Sequence, residues 1–384
     1  MPVIQRPKVC YRPVVAGLLL WGMAGGLFAN QEPVVSQRPD AAKLAAAQTR
    51  AVEFLRTTQS DDGSWTTNQT PGISGLVIAA LMENGLTTDD ATIQKGLKNL
   101  SSYVQPDGGI YSPKSDLRNY ETCISLLAFH AANRDGRYDK VIAAARDFLK
   151  RLQWDETKDI KPDDVKFGGA GYGGTSRPDL SNTAYLLDAL KAAGVGQDDP
   201  AMKNAVVFIS RCQNLESEFN TLVSASKVND GGFYYTPAAG GASPAKKDAD
   251  DGLRSYGSMT YAGLKSMLYA GVGPDDPRVV AAVKWIRKYY SVTDNPGMGK
   301  AGMFYYYNLF AKGLDAMQLE SLTDEKGVVH YWKKELGDQL ISLQKPNGSW
   351  VNSEKRWMEG DPNLSTAFAL LTLARCSRAS QAAR

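Results

Sequence analysis

Three carboxylates lie within four residues of one another in the second half of this chain. They are Asp248, Asp250 and Asp251, in the sequence Asp-Ala-Asp-Asp. Because like charges at this spacing repel, we expect at least one of them to hold its proton more tightly than a free carboxylic acid. An acid that stays protonated can donate a proton to a substrate, with Asp250 as the donor. The cluster belongs to a long insertion, 214–255, so a solvated patch paired with the two preceding lysines is the alternative.

Two further acids stand near the starts of predicted helices. Glu121 directly precedes Thr122, and Asp179 lies three residues before Asn182. A pair of carboxyl groups can serve as the acid and the base of a carbohydrate-active enzyme. An acid at a helix N-terminus is also a common cap for unpaired backbone N–H groups. Both roles are open for these two residues.

Other chemistries are disfavoured by residue type. Histidine is limited to His130 and His330, and neither has a second His or Cys at ligand spacing, so we expect no metal and no other cofactor. No Ser-His-Asp arrangement can be built, and no Gly-rich loop has the context of a phosphate site. Three cysteines, Cys123, Cys212 and Cys376, follow residue 29. We expect buried thiols, with one disulfide as the alternative.

The elements that must position these residues repeat six times. A small residue is followed eleven positions later by a Gly, Asn or Ser that we expect to end a helix. The helices between these positions are apolar on most faces, which predicts that they are buried on most of their surface. The six pairs are Ser74 and Gly85, Thr122 and Asn133, Thr183 and Gly194, Thr260 and Gly271, Gly302 and Gly313, and Thr366 and Ser377.

Each apolar helix is preceded by an amphipathic helix and a Gly-rich turn. The clearest turns run from Gln59 to Trp65 and from Gln344 to Trp350, with Asp-Gly or Asn-Gly pairs that supply positive φ angles. We expect the closing aromatic residue to pack back onto the preceding helix. One outer and one inner helix cannot bury the inner face alone, so the units must stack. The sequence therefore predicts an all-α (α/α)6 toroid.

Aromatic residues are frequent on or beside the predicted inner helices. Their faces can stabilise cations, and the same side chains can simply fill the interior of a barrel. The candidates for substrate binding are Tyr185, Tyr256, Tyr261, Tyr305 and Tyr306, with Phe304 and Tyr307 beside them.

The Gln…Gly-Ser-Trp turns and the Thr-Ala starts of inner helices resemble the prenyltransferase and squalene-cyclase repeat family. The resemblance covers about residues 45–378. It implies a barrel with an apolar central cavity that, in the cyclases, binds isoprenoid chains. Cyclases of class II protonate their substrate with the middle acid of an Asp-x-Asp-Asp motif, which runs directly into an inner helix. In this chain Asp251 lies nine residues before Thr260, and the motif's own positions hold Tyr256, Ser258 and Met259. The zinc ligands of protein prenyltransferases are not matched either.

The N-terminus indicates an export signal. Three basic residues and no acidic residue precede Ala29, and an apolar run extends over 14–28. We expect a signal peptide over 1–29, a linker over 30–44, the toroid over 45–378 and a tail over 379–384. The chain would then be periplasmic or secreted, and an uncleaved membrane anchor is the alternative. Without 1–29 the chain has 41 basic and 41 acidic residues, which gives no support for nucleic-acid binding.

Three functions remain open at this point. The first is an acid-initiated isoprenoid cyclase with Asp250 as the proton donor, Asp248 and Asp251 as its neighbours and inner-helix aromatics around the cation. The second is a non-catalytic toroid that binds an apolar ligand or a peptide. The third is a carbohydrate-active toroid with paired acids such as Glu121 and Asp179. A polar groove with two acids would favour the third.

Overall fold

The computed structural model describes residues 37–247 and 250–379. The predicted signal peptide, the residues 380–384 and Asp248 lie outside the described residues. Within them the chain is mostly helical, which confirms the all-α class. A two-stranded antiparallel pair, β1 (Leu322–Thr323) and β2 (Val329–His330), is an element that the sequence pattern did not indicate. The helices are α1 (Ala41–Thr57), α2 (Gly72–Glu83), α3 (Ala91–Ser101), α4 (Arg118–Ala132), α5 (Asp139–Leu152), α6 (Leu180–Ala192), α7 (Pro200–Arg211), α8 (Val223–Val228), α9 (Gly257–Tyr269), α10 (Pro277–Lys288), α11 (Met303–Ala316), α12 (Trp332–Leu343) and α13 (Pro362–Ser377).

The helices form two layers because their sequences have two different patterns. Helices α2, α4, α6, α9, α11 and α13 are buried over most of their residues, as their apolar sequences require. Each packs against the next along the chain, and α13 packs against α2. Helices α1, α3, α5, α7, α10 and α12 bury one face and contact these inner helices from outside. The closed order of inner contacts creates the central space in which a site can lie.

The glutamine at the end of an outer helix joins consecutive units. Gln153 donates through Nε2 to Gly168 O in its own turn, at 2.8 Å, and to Ala201 O of the next outer helix, at 2.9 Å. Gln59 and Gln213 make the equivalent pairs of bonds. Gln344 donates to Ala47 O of α1 at 2.8 Å, so the last outer helix is tied to the first by the same device.

The hydroxyl that recurs near the start of five of the six inner helices has a specific role. Ser74 Oγ accepts the backbone N–H of Trp65 at 3.0 Å, and Thr366 Oγ1 accepts that of Trp350 at 3.1 Å. The same bond is made by Thr122, Thr183 and Thr260. The residue at this repeated position is therefore small and also polar in these five units, because its hydroxyl satisfies a buried donor in the turn.

The fifth unit departs from the repeat. Gly302 carries no hydroxyl, and Gly313 does not end α11, which continues to Ala316. The prediction of a helix end at Gly313 was wrong because this glycine serves packing. A Cβ there would lie 3.1 Å from Cδ1 of Tyr261 on α9, so its absence lets α9 and α11 approach closely.

The turn glycines give a prediction that separates backbone strain from steric contact. Gly168 has φ +81°, and a Cβ on it would meet Asn204 O at 1.8 Å, whereas Gly194 has φ +78° with open space around it. We expect Gly194→Ala to lower the free energy of unfolding by about 1 kcal/mol through strain alone. We expect Gly168→Ala to lower it by about 2–4 kcal/mol, because the turn must also move away from α7. Urea unfolding of both variants checks this, and equal losses would contradict the tight contact.

Two further findings concern the described residues as a whole. Cys123, Cys212 and Cys376 are buried free thiols. None of the helices in the described ranges has the length and apolar character needed to cross a membrane.

Candidate functional site

The two predicted acids are buried at the N-terminal ends of inner helices, and Asp179 caps α6. Asp179 is 1% exposed; its Oδ1 accepts the backbone N–H of Asn182 and its Oδ2 accepts the amide of the same residue, both at 2.8 Å. Burial raises the pKa of Asp179 to about 6. Glu121 is also buried, and one of its oxygens accepts Ser112 N–H at 2.9 Å. Burial raises the pKa of Glu121 as well. Both acids are thus held by backbone donors.

Glu359 is a third acid of this kind, and the sequence patterns did not indicate it. It is 1% exposed, and its Oε1 accepts the backbone N–H of Tyr305 in the first turn of α11 at 2.8 Å. Burial raises the pKa of Glu359. The signal that could have found it is Gly302, the residue before α11, which has no side chain with which to cap its own helix.

The predicted aromatic residues fall into two groups. Tyr185 and Tyr305 stack in the interior with ring centroids 6.2 Å apart, and Ser181 Oγ lies 2.6 Å from the Tyr305 hydroxyl. Tyr261 and Tyr306 contact each other elsewhere, at 5.7 Å, and the Tyr306 hydroxyl donates to Ser291 O in the segment after α10. The structure therefore brings Tyr185 and Tyr305 together and places the other pair between the inner and outer layers. Tyr256 directly precedes α9 and is buried.

The acid cluster of the insertion lies at the surface in its described part. Asp250 and Asp251 are exposed, and Asp251 Oδ1 lies 3.2 Å from Lys247 Nζ with 73% of the Asp251 side chain accessible. Asp248 is outside the described residues. The desolvation that a neutral proton donor needs is not provided at Asp250 and Asp251, and their catalytic role stays a prediction.

A cavity of about 240 Å³ lies between the middle and C-terminal parts of the inner helices. All six inner helices contribute to its wall, and Tyr185 links it to the interior aromatic group. Its apolar lining includes Leu76, Ile124 and Leu371. Its polar lining is Glu83, His130, Asp188, Lys191, Tyr269, Asn308, Lys312 and Arg375.

Asp188 of α6 is the centre of a buried ion cluster beside this cavity. Its Oδ1 lies 2.5 Å from Nζ of Lys265 on α9, and its Oδ2 lies 2.9 Å from Nζ of Lys312 on α11. Burial alone would raise the pKa of Asp188, but the two ammonium groups lower it to about 2. Burial, together with the neighbouring Lys312, lowers the pKa of Lys265 to about 8. Asp188 is therefore ionised at neutral pH and joins three inner helices.

Arg375 of α13 is the centre of a second group on the cavity wall. It pairs with Asp315 of α11 at 3.1 Å and lies 3.9 Å from Glu83 of α2. Its Nε and the Oδ1 of Asn308 are buried and make no hydrogen bond within the described residues. The wall therefore offers a donor and an acceptor that the chain itself does not use, which is the arrangement expected of a site for a polar ligand.

The sequence patterns missed this cavity, although a signal was present. Asp188 and Lys265 are isolated charges within the otherwise apolar inner-helix segments TAYLLDAL and TYAGLKSM. A charge in a fully buried helix must be paired or functional. Among the described residues, no group of three or more His, Cys, Asp or Glu is placed to hold a metal ion.

Comparison with known proteins shows the fold and leaves the chemistry open. No protein-family model and no curated protein matches the sequence. A D-mannose isomerase structure is similar with a TM-score of 0.55 and 15% identity, over 88% of this chain and 97% of that one. The structure of the polysaccharide lyase BACCELL_00875 is similar with a TM-score of 0.54 and 10% identity, over 87% of this chain and 96% of that one. A third similar structure is a variant of the type II terpene cyclase MstE from Scytonema in complex with geranylgeranyl dihydroxybenzoate. Its TM-score is 0.50 and its identity 14%, over 87% of this chain and 97% of that one. The chain has an α/α-toroid-like fold.

Proposed function

We propose that this chain is an exported, carbohydrate-active (α/α)6 toroid whose sugar site is the cavity between the middle and C-terminal parts of the inner helices. The observation that carries the proposal is the group of charged and amide side chains in a cavity whose lining is otherwise mostly apolar. Glu83, Asp188, Asn308, Lys312 and Arg375 converge on it from four inner helices. Sugar hydroxyls both donate and accept hydrogen bonds, so they need this mixture of carboxylate, amide and cationic groups.

The six-pair architecture is supported by the contacts of the chain itself. The inner helices contact one another in a closed order, and the bond from Gln344 to Ala47 joins the last outer helix to the first. Export is supported by the basic and apolar residues that precede Ala29.

Size favours a sugar over a polyprenyl chain, and so do the charged side chains in the wall. Pockets for drug-sized ligands span about 300–1,000 Å³, and this cavity of about 240 Å³ is suited to one sugar ring. An apolar chain would have to cover Lys312 and Arg375 without supplying hydrogen bonds, and desolvated charges of this kind are costly.

The reacting groups follow from which acid faces the cavity. Asp188 remains ionised there and can accept a hydrogen bond from a sugar hydroxyl. Glu83 is the second carboxylate of the wall. Glu121 and Asp179, which the sequence suggested as the acid and the base, are absent from the lining. Asp179 caps α6, and Glu121 accepts Ser112 N–H through one oxygen while its other oxygen makes no hydrogen bond within the described residues. We therefore assign the site to Asp188 and Glu83 in place of that pair.

A binding experiment with a cavity-filling variant tests the proposal. D-Galactose, D-galacturonate and geranylgeraniol are titrated into the full-length protein by calorimetry and ligand-observed NMR. We expect at least one sugar to bind and Ala79→Phe, which fills the cavity wall, to abolish that binding. Ala45→Phe, on the exposed face of α1, is the matched control. Sugar binding that survives Ala79→Phe would place the site elsewhere.

An isoprenoid ligand is the second candidate, and one observation favours it. Tyr185 lines the cavity and belongs to an interior aromatic group in which it packs edge-on against Tyr120 at 5.2 Å, while Tyr305 contacts Phe368 at 5.8 Å. Aromatic faces suit an isoprenoid cation. Binding of geranylgeraniol without binding of either sugar would favour this candidate and reject the carbohydrate function.

A further inference from the structure

One carboxylate serves two ammonium groups at the cavity wall. Within the described residues, Lys265 and Lys312 form ion pairs with Asp188 and with no other carboxylate. Lys265 is 1% exposed and fully enclosed, whereas Lys312 keeps 11% of its side chain accessible and lines the cavity. The cluster therefore carries one unit of positive charge that the chain does not neutralise, on the side that faces the cavity.

This excess charge does not serve stability. A single buried Asp–Lys pair is close to neutral in its effect, and a second buried ammonium adds desolvation and repulsion from the first. Proteins retain groups of this kind where a ligand uses them. An anionic group placed beside Lys312 would neutralise the cluster and complete the pairing.

The neighbouring wall has the complementary groups for the rest of such a ligand. Asn308 is 2% exposed, and its Oδ1 needs a donor; the buried Nε of Arg375 needs an acceptor. A hydroxyl group satisfies both requirements, since it donates one hydrogen bond and accepts others. Glu83 and Asp315 pair with both Arg375 and Arg378, so these four charges balance one another. An anionic group of the ligand is therefore expected to pair with Lys312.

We propose that the cavity binds an acidic sugar, with its carboxylate or phosphate paired to Lys312 and its hydroxyl groups bonded to Asn308 and Arg375. The proposal rests on the carbohydrate function above and adds the substrate class to it. It distinguishes Lys312, which selects for the anion, from Asn308, which contacts the ring whether or not the sugar is charged.

The test uses three sugars that differ only at carbon 6. D-Galacturonate carries a carboxylate where D-galactose carries a hydroxymethyl group, and D-galactose 6-phosphate carries a phosphate on the oxygen of that hydroxymethyl group. With the full-length protein we expect galacturonate or the phosphate to bind about tenfold or more tightly than galactose, because charge-assisted hydrogen bonds are the stronger kind. We expect Lys312→Met to reduce that preference to near one. Lys203→Met, an exposed lysine of an outer helix, leaves it unchanged.

A second variant keeps the test valid if the ion cluster tolerates no change. Asn308→Leu is expected to weaken the binding of galactose and of the acidic sugar by the same factor, so the preference for the anion stays the same. Tight binding of the phosphate with the same dependence on Lys312 identifies the phosphate as the anion. Equal binding of galactose and galacturonate, or a preference that survives Lys312→Met, overturns the acidic-sugar site while the carbohydrate function stands. Binding of geranylgeraniol alone overturns both.

Discussion

Replacing Asp188 by alanine is expected to lower the free energy of unfolding by about 3–5 kcal/mol, which is a large share of the stability of an ordinary domain. The substitution removes the common partner of Lys265 and Lys312 and leaves two ammonium groups in the interior. Lys265 keeps a bond to Ala184 O, at 3.3 Å from its Nζ. The loss is therefore the cost of uncompensated buried charge and exceeds the value of either ion pair.

The dependence on pH has a defined sign. The pKa of Asp188 is about 2, below its ordinary value of 3.8. A group with a depressed pKa contributes its full stability above the ordinary value and loses it as the pH falls through the depressed one. The shift corresponds to about 2 kcal/mol. We expect this contribution to be constant at neutral pH and to disappear between about pH 4 and pH 2.

Urea unfolding of three proteins at neutral pH measures the effect. Asp188→Ala is compared with the triple variant Asp188→Leu, Lys265→Met, Lys312→Met, which removes the charges together and is expected to recover most of the loss. Asp251→Ala is the surface control, because its pair with Lys247 is exposed and is expected to change stability by less than about 0.5 kcal/mol. An Asp188→Ala loss no larger than that of Asp251→Ala would show that the cluster is solvated.

The sequence was sufficient for the helical class because the relevant forces are local. Hydrophobic spacing separates the inner from the outer helices, and Asp-Gly or Asn-Gly pairs mark the turns. The role of Thr122 and its equivalents was not predictable in full, since their hydroxyl groups satisfy turn N–H groups that are identified only once the chain is folded. Glu359 illustrates the same limit, because it caps a helix whose first residue lies 56 positions earlier in the chain.

The candidate site depends on contacts that are still more distant in sequence. Asp188 and Lys312 are 124 residues apart, and no spacing rule connects them. The acids that sequence reasoning favoured were conspicuous because they were clustered or stood at helix starts. Both features have structural explanations, namely solvent exposure at Asp251 and capping at Asp179. The isolated charge in an apolar helix was the better signal, because burial makes a lone charge expensive.

The second large effect is expected at the turn that closes the contacts between the last and first units. Trp350 is fully buried, and its Nε1 donates to Leu340 O of α12 at 2.8 Å. Six residues earlier in the same turn, Gln344 bonds Ala47 of α1. Trp350→Ala removes a large buried ring and leaves a cavity among α12, α13 and the turn. We expect a loss of about 3–5 kcal/mol in the free energy of unfolding.

Three matched substitutions show which part of Trp350 is responsible. Trp350→Phe keeps much of the side-chain volume and loses the hydrogen bond to Leu340, so we expect it to lower the free energy of unfolding by about 1–2 kcal/mol. Trp357→Ala removes a ring that belongs to a residue 47% exposed, and we expect it to lower the free energy of unfolding by about 1 kcal/mol or less. Trp65, whose Nε1 donates to Leu55 O at 2.7 Å, occupies the same position in the first unit. Because units in a closed array contact their neighbours in the same way, Trp65→Ala is expected to match Trp350→Ala within about 1 kcal/mol. A Trp350→Ala loss similar to that of Trp357→Ala, measured by denaturant unfolding, would contradict a structural role for this turn.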